Sequence, residues 1–494
     1  MPARFRKSPQ LKQVSLIFAC GTALFADGYA NGVISAVNTI LTRLYGSAAL
    51  KAHNSSTTLT SVTFAGTIVG MLTFGYLSDK LGRKFGMMMA TGFVAFFSLL
   101  SAASSGAHHS LGGMLAMLSA CRFLLGIGIG AEYSCGSVAA SEQSEEDGVA
   151  RNAQHRWLAL ATNSVINLGF VFASFVPLVL FWIFGEDHLR VVWRLSLGLA
   201  FVPAMLVFLW RLNMDEPQHY KRASLHRART PYWLVFKRYW VPCTGIALAW
   251  FFYDFIVYPF GIFATPIINN ITGGNESLTV VLGWGCVINL FSMPGTILGA
   301  FIVDYLGPKY TLIGGLLCQA VIGFIMSAMY KHLTSHVGAF AVVYGIFLSF
   351  GELGPGNCTF LLASKTGPTG VRGQFFGFAA ATGKLGAFVG TWAFPAIIDA
   401  FGGQSTDRGN TGPFWIGSGI AILSALVVFV MVWPLSHDGM IEEDEKFKQY
   451  LIDNGYDVSL MGFGAETTTT TGTVAVSESE EKSASMEDVV NTVA

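Results

Sequence analysis

The chain has 494 residues, of which 12% are Asp, Glu, Lys or Arg, and its mean hydropathy is +0.52. Soluble domains carry about 25% charged residues, so this composition excludes an ordinary soluble protein and indicates a membrane protein with several spans. The formal net charge is zero and gives no indication of an acidic or basic partner, because the charges are sorted along the chain.

Apolar segments of membrane-crossing length occur along the whole chain. A crossing helix needs about 20 mostly apolar residues, and twelve stretches meet this requirement. The predicted spans, numbered 1 to 12, lie near residues 14–40, 58–78, 85–105, 112–138, 157–184, 193–212, 241–268, 279–303, 309–330, 337–363, 373–401 and 412–434. The sequence therefore predicts an all-α membrane protein with twelve transmembrane helices.

The longest internal polar stretch separates six spans from six. Lys and Arg residues concentrate before span 1, after span 2 and in this stretch, which assigns these segments and both termini to the cytosol. The residues after span 12 are rich in Ser, Thr and Glu and too poor in apolar residues to fold alone. The predicted units are a cytosolic N-terminus (1–13), an N-terminal half (14–212), a cytosolic loop (213–240), a C-terminal half (241–434) and a disordered cytosolic tail (435–494).

The two halves repeat one another. GMLTFGYLSDKLGRK at 70–84 aligns with GTILGAFIVDYLGPK at 295–309, at a constant offset of 225 residues that superimposes Asp79 on Asp304. Asp27 in span 1 and Asp254 in span 7 lie two residues from the same offset. Two homologous six-helix halves are what an alternating-access carrier needs, with its site where the halves meet at mid-membrane.

These repeated loops resemble the signature loops of the major facilitator superfamily. The resemblance implies that Asp79, Arg83 and Asp304 belong to a charge cluster that opens and closes on the cytosolic side as the halves rock. We assign Arg122 to the same gate, because ten residues before Glu132 it is expected nearer the cytosol, in a salt bridge. Positive residues that only set topology are the alternative, and the occurrence of the motif in both halves favours the gate.

Further motifs narrow the resemblance. RFLLGIGIGAEY at 122–133 resembles helix 4 of the phosphate:proton symporters. DGYANG at 27–32, YDF at 253–255, TGKLG at 382–386 and YLIDNG at 450–455 are similar to the fungal glycerophosphodiester permeases. The resemblance implies a plasma-membrane proton symporter that imports glycerophosphoinositol or glycerophosphocholine.

Span 7 contains an aspartate in a segment that is otherwise suited to lipid. An ionised carboxylate in lipid costs several kcal/mol, so Asp254 is expected to face a protein cavity. Trp250 and Tyr258 recur four residues before and after it, on the same helical face. Lys384, deep in span 11, needs a partner and suits either an anionic phosphoryl group or a structural pair with Asp254. A structural Asp254 bonded to a neighbouring helix is the alternative.

The resemblance to phosphate symporters adds further candidates. It implies a substrate site of Tyr133, Trp250, Asp254, Tyr258 and Asn357 around Lys384, in which neutral donors bind phosphate oxygens without adding charge. Asn163 and Asn167 lie where that family has a glutamine, so either amide binds substrate or joins helices. The proton candidates are Asp27, Glu132 and Glu352, since buried carboxyl groups can load and release protons. Asp27 is expected to face the cavity together with Asn31.

Three functions compete with diester import: phosphate symport, which is the alternative, and a receptor or an enzyme, which the sequence disfavours. Inorganic phosphate symport is the first alternative, and dihydrogen phosphate has acidic hydroxyls that an ionised Asp254 can accept. A diester has none, so its site requires Asp254 to be protonated, paired with Lys384 or turned toward other hydroxyls. A receptor that binds phosphate compounds without moving them is disfavoured by the two gate motifs. No catalytic, metal or cofactor constellation is found, so we expect a monomeric non-enzyme that binds no nucleic acid.

Overall fold

The computed structural model describes residues 9–52, 55–146, 149–217, 220–221, 225, 230–271, 277–437, 439–458 and 461. Within these ranges the chain forms helices and turns and no β-strand. The predicted all-α class is therefore confirmed. The basic segment before Pro9 and most of the predicted tail, from 462 onward, lie outside the described residues.

Within the described residues, six long helices form each half. In the N-terminal half they are α1 (Pro9–Gly21 and Ala23–Tyr45), α2 (Ser55–Leu81), α3 (Arg83–Ala102), α4 (Leu111–Ser144), α5 (Gln154–Ala159, Leu160–Ser164 and Val165–Phe184) and α6 (Leu189–Gly198 and Phe201–Arg211). In the C-terminal half they are α7 (Tyr232–Ile271), α8 and α9 (Leu278–Leu290 followed by Ser292–Ala328), α10 (Val337–Gly351, Glu352–Gly356 and Asn357–Thr366), α11 (Arg372–Ala400) and α12 (Asp407–Met431). The short helices Ser47–Ala52 and Tyr330–Thr334 lie in connections.

Ten stretches of the described chain are long and apolar enough to cross a membrane. One of them, Leu278–Ala328, has 51 residues, which is far longer than the roughly 20 residues that one crossing needs. It is interrupted at Gly307, where the backbone leaves helical geometry, so α8 ends and α9 begins there. The twelfth crossing is α11, whose 29 residues include Lys384. The predicted set of twelve helices in two halves is confirmed.

Two glycines at matching positions explain the tight turns of the repeat. Gly82 joins α2 to α3 with φ +114°, and Gly307 joins α8 to α9 with φ +74°. These are left-handed backbone conformations that glycine adopts without a Cβ penalty. Because the two positions are 225 residues apart, the sequence repeat marks the same turn in both halves.

The halves pack through related helices. α11 lies along α2, and α5 lies along α8. Since α2 corresponds to α8 in the repeat, these two contacts form a pseudo-symmetric pair around the centre of the molecule. They bring the inner faces of α1, α4, α5, α7, α10 and α11 together around a cavity.

The structure differs from the sequence prediction at two boundaries. α7 begins at Tyr232, inside the predicted loop. The first residues of α7 include basic side chains, so the apolar stretch from which span 7 was predicted begins later than the helix. Part of the predicted disordered tail forms a helix, α13 (Gly439–Asp453). Met440, Phe447 and Leu451 of α13 are at most 1% exposed, so an apolar stripe among acidic residues was enough to dock this segment.

Candidate functional site

A cavity lies between the two halves. Both halves contribute to its wall, which mixes aromatic rings with amides, hydroxyls and three charged groups. The lining residues discussed below are Asn31, Ser35, Tyr133, Asn163, Asn167, Ser174, Trp250, Tyr253, Asp254, Tyr258, Asn289, Glu352, Phe360 and Lys384.

Lys384 of α11 lines this cavity, and two side chains of α7 bind its ammonium group. Its Nζ donates to Asp254 Oδ2 at 2.9 Å and to Tyr258 OH at 2.6 Å. Lys384 and Asp254 have side chains 2% and 1% exposed, so the ion pair is desolvated. Of the arrangements left open for Asp254, the structure contains the pair with Lys384. A buried pair of this kind is costly to break by removing one partner.

Aromatic rings surround the ammonium group. Lys384 Nζ lies 4.1 Å from the ring centroid of Tyr258 and 5.2 Å from that of Tyr133. Trp250 and Tyr133 both pack against Phe360, with centroids 5.1 and 5.4 Å apart. These rings exclude water around the charge while their phenol and indole groups supply neutral donors. The four-residue spacing of Trp250, Asp254 and Tyr258 thus places all three on the cavity wall, as predicted.

A second polar group lies across the cavity, centred on Glu352 of α10. Its Oε1 accepts a hydrogen bond from Tyr253 OH at 3.0 Å. Its Oε2 accepts from the side-chain amides of Asn163 at 3.0 Å and Asn167 at 2.8 Å. Asn163 also donates to Asn357 Oδ1 at 3.2 Å. The asparagines of α5 therefore join the halves and line the cavity at once. Asn357 contacts this group but is not itself part of the lining.

Both helices of this polar group are locally widened. α5 contains a π-helical turn at Leu160–Ser164, and α10 contains one at Glu352–Gly356. Such turns are rare and are often found at functional sites. They turn Asn163 and Glu352 toward one another, a placement that a uniform 3.6-residue period does not predict.

Polar residues that the sequence analysis missed line the rest of the cavity. Asn289 of α8 donates to Ser174 Oγ of α5 at 2.8 Å. Ser35 of α1 also lines the wall, one turn from Asn31, which the sequence analysis did predict to face the cavity. A side-chain amide within an apolar span is expected to face protein or a cavity, as the aspartate of span 7 is. Asn289 could therefore have been identified from the sequence.

The N-terminal half contains a separate buried charge group. Glu132 accepts from Arg211 Nη1 and Nη2, each at 2.6 Å. Asp27 interacts electrostatically with both, is 1% exposed, and has one oxygen, Oδ2, without a hydrogen-bond partner. Asn31 lines the cavity, whereas Asp27, one turn away, is not among the lining residues. The expectation that both face the cavity therefore holds for Asn31 alone.

Asp79 binds the N-terminus of a helix in the other half. Its carboxylate accepts from the backbone N–H groups of Gly373 and Gln374, each at 2.9 Å. Arg83 Nη1 donates to the same carboxylate at 2.6 Å, and Arg83 Nη2 donates to Glu142 at 2.9 Å. A carboxylate at the first turn of α11 is stabilised by the helix dipole and the free amides. The end of the bundle where Asp79 and Asp304 lie is called the gate end below.

Asp304 of the C-terminal half makes the corresponding contact with the start of a helix in the N-terminal half. Its Oδ1 accepts from the backbone N–H of Arg156, at the start of α5, at 3.1 Å. Lys365 of α10 adds a buried ion pair with Glu145 after α4 at 2.8 Å. Each half therefore caps a helix of the other, and these contacts join the two halves at the gate end.

Glu216, which follows α6, caps α3 within the N-terminal half. Its carboxylate accepts from the backbone N–H groups of Arg83 and Lys84, each at 3.0 Å. Burial raises the pKa of Glu216, although these two N–H groups act in the opposite direction. Glu216 thus fixes the start of α3, from which Arg83 contacts Asp79 and Glu142.

Arg122 does not lie at the gate end. Its guanidinium donates to the backbone carbonyl of Ala30 at 2.6 Å and is 1% exposed. Along α4 it is 20 residues from Glu142, which corresponds to about 30 Å of helix. The assignment of Arg122 to the gate is corrected, because α4 runs toward the gate end and Arg122 precedes Glu132 in that direction.

Comparison with known proteins agrees with this geometry. The model of the family "Sugar (and other) transporter" matches residues 14–231 and 220–447. The chain is 46% identical over 456 residues to the glycerophosphocholine permease GIT4 of Candida albicans, covering 92% of this chain and 85% of the permease. It is 42% identical over 453 residues to the major glycerophosphoinositol permease GIT3 of the same species, covering 91% and 84%.

A solved structure gives the fold independently. The proton:xylose symporter XylE bound to 6-bromo-6-deoxy-D-glucose has a TM-score of 0.73 at 17% identity, covering 89% of this chain and 99% of that chain. These similar proteins are transporters, and the chain is a multi-pass membrane transporter rather than an enzyme. It is a member of the major facilitator superfamily, in the sugar (and other) transporter family, and belongs with the glycerophosphodiester permeases, as its motifs imply.

Proposed function

We propose that this protein imports glycerophosphodiesters, such as glycerophosphocholine or glycerophosphoinositol, across the plasma membrane by proton-coupled alternating access. The observation that carries the proposal is the Lys384–Asp254 pair in a cavity between the halves, in a chain similar to permeases named for these substrates. Both termini and the gate end are assigned to the cytosol on the positive-inside pattern.

Lys384 is the group that binds the phosphodiester. A diester has one negative charge, and the ammonium of Lys384 neutralises it once the phosphate takes the place of the Asp254 carboxylate. Tyr258 and Tyr133 lie against the same ammonium and contribute hydroxyl donors without further charge. A single cation with neutral donors favours binding that is still weak enough for release.

Glu352 and its amide partners recognise the alcohol side of the substrate. The carboxylate accepts from Tyr253, Asn163 and Asn167, and the same groups can exchange these bonds for glycerol or inositol hydroxyls. A cavity lined by two polar centres suits a diester, which has both a phosphate and alcohol groups. This second centre is what favours the diester over inorganic phosphate, which needs one centre alone.

Asp27 is the coupling carboxyl group. An inside-negative potential opposes anion entry by about 2.3 kcal/mol per charge per 100 mV, so accumulation requires cotransported protons. Both oxygens of Glu132 are occupied by Arg211, whereas Asp27 has an oxygen without a partner. Asp27 can therefore take up a proton on its free oxygen in this state. Protonation of Asp27 changes its electrostatic interaction with Glu132 and Arg211, and through them the packing of α4 and α6.

Alternating access follows from the two related caps. In this state Asp79 binds the start of α11 and Asp304 binds the start of α5. Release of both contacts frees α11 from α2 and α5 from α8, so the halves rock apart at the gate end. The substrate then leaves toward the cytosol.

The test is uptake in cells that lack their own phosphate and diester carriers. Labelled glycerophosphocholine, glycerophosphoinositol and phosphate are supplied at two pH values, with and without a protonophore. We expect saturable diester uptake that is faster at acidic pH and is abolished by the protonophore. Phosphate uptake without diester uptake would establish the alternative substrate, and binding without accumulation would establish a receptor.

A further inference from the structure

Two histidines and an aspartate meet at the gate end, outside the cavity. His155 begins α5, Asp304 ends α8, and His437 follows α12. One possible ligand atom from each lies within 4.8 Å of those of the other two. The imidazole rings stack with centroids 4.5 Å apart. Their wide separation in sequence is why residue spacing predicts no metal site.

The polar atoms of this cluster are short of partners. His155 is 1% exposed, and its one backbone hydrogen-bonding neighbour is Ser436, which leaves at least one ring nitrogen without a partner. Nδ1 of His437 and Oδ2 of Asp304 also have no hydrogen-bond partner. An unsatisfied buried polar group costs about 1–3 kcal/mol, so three such groups close to one another require an explanation.

The sequence repeat shows which group is missing. In the first half, Arg83 supplies a guanidinium to Asp79 at 2.6 Å. The position 225 residues after Arg83 is Pro308, so Asp304 has no equivalent guanidinium. The ion-pair partner of Asp304 is Arg156 of the N-terminal half, whose Nε lies 3.8 Å from Asp304 Oδ2. Around Asp304 there are thus a long ion pair and two imidazoles, one from each half, where Asp79 has a close ion pair.

One further cation faces the cluster from α10. Lys365 interacts electrostatically with His155, but its ammonium is bound to Glu145 at 2.8 Å. Its ammonium is therefore already paired. A cation bound between Asp304 and the two rings would give the carboxylate a closer counter-charge than Arg156 and give the ring nitrogens a partner.

We propose that His155, Asp304 and His437 bind a divalent transition-metal ion of the zinc type, and that the bound ion holds the gate end closed. Imidazole nitrogens and a carboxylate oxygen are preferred zinc ligands at about 2.0–2.2 Å, with a fourth position left for water. Ligand atoms around such an ion lie about 3.4 Å apart, whereas those of the three residues lie within 4.8 Å of one another. Rotation of the side chains that shortens these distances completes the site.

The ion would join the two halves, since His155 belongs to one and the other ligands to the other. A ligand that binds one of two states shifts the population toward that state. Zinc at the gate end is therefore a brake on transport, because the three ligands meet only while α5 and α8 are in contact.

The first test is zinc binding by the purified full-length protein, measured by competition with a chromophoric chelator and zinc as the added metal. We expect one site per chain that weakens by more than about tenfold in His155→Gln and in His437→Gln, since partners that merely orient a ligand are worth 10–100-fold. His336→Gln, an exposed histidine bonded to Ser335, is the matched control and keeps the wild-type affinity. Wild-type affinity in His437→Gln overturns the proposal, even where His155→Gln fails to fold.

The second test asks whether the ion acts as a brake, and it rests on the proposed function. Zinc is applied to the gate face of proteoliposomes during glycerophosphocholine transport. We expect at least a twofold slowing in the wild type and none in His437→Gln. Equal slowing in both overturns the brake while leaving the binding result intact, and absence of transport without zinc counts against the proposed function alone.

Discussion

Replacement of Lys384 by methionine separates the binding of the anion from the stability of the helix pair. Methionine keeps the length and apolar stem of lysine but removes the charge that binds Asp254 at 2.9 Å and Tyr258 at 2.6 Å. Removing one partner of a buried pair costs about 3–5 kcal/mol, because the other charge is left without compensation. Lys384→Met is therefore expected to lower the thermal stability of the protein clearly.

The affinity for substrate is expected to fall for a different reason. A hydrogen bond to a charged group is worth about 1.5–3 kcal/mol, which corresponds to an affinity loss of about 12- to 160-fold for the diester. The double variant Asp254→Asn/Lys384→Met removes both charges, so it should recover much of the stability without recovering the affinity. This contrast distinguishes a substrate-binding lysine from one that only holds two helices together.

Both quantities are measurable on purified protein. Thermal unfolding gives the stability, and equilibrium binding of labelled glycerophosphocholine gives the affinity. Lys309→Met is the matched control, since Lys309 bonds the carbonyl of Phe429 on the exposed surface and is not part of the cavity lining. Wild-type affinity in the double variant would refute the charge-neutralising role of Lys384.

Three further predictions follow from the buried carboxylates and their partners. Asp27→Asn should abolish proton-driven accumulation while sparing substrate exchange, and accumulation equal to wild type in vesicles with an imposed pH gradient would reject its coupling role. Asp79→Asn removes a charged acceptor from Gly373 and Gln374, so hydrogen exchange of these two amides should accelerate by about 12- to 160-fold; unchanged exchange would exclude Asp79 as the cap of α11. Tyr253→Phe removes one donor to Glu352 and should raise the KM for glycerophosphoinositol by about 2- to 12-fold, with a smaller change for phosphate; equal changes for both substrates would reject an alcohol-specific centre.

The sequence by itself determined the number of helices and the relation of the halves. Each crossing is a local property, since about 20 apolar residues suffice to span a bilayer, and the offset of 225 residues between Asp79 and Asp304 is visible in the letters. The rule that lipid does not tolerate a bare charge also selected Asp254 and Lys384 as inward-facing residues. The spacing of Trp250, Asp254 and Tyr258 along α7 places them on one face by helical periodicity alone.

Only the tertiary structure decided which polar groups meet. The bond from Lys384 to Asp254 joins residues 130 apart, and that from Asn163 to Glu352 joins residues 189 apart, so both depend on the rotation and register of packed helices. The π-helical turns of α5 and α10 change that rotation locally, which no regular period predicts. Arg122 was misplaced because its depth depends on the direction of α4, and the cluster of His155, Asp304 and His437 exists only where three distant segments converge. Position along a span is local information, whereas contact between spans is decided by how their side chains pack.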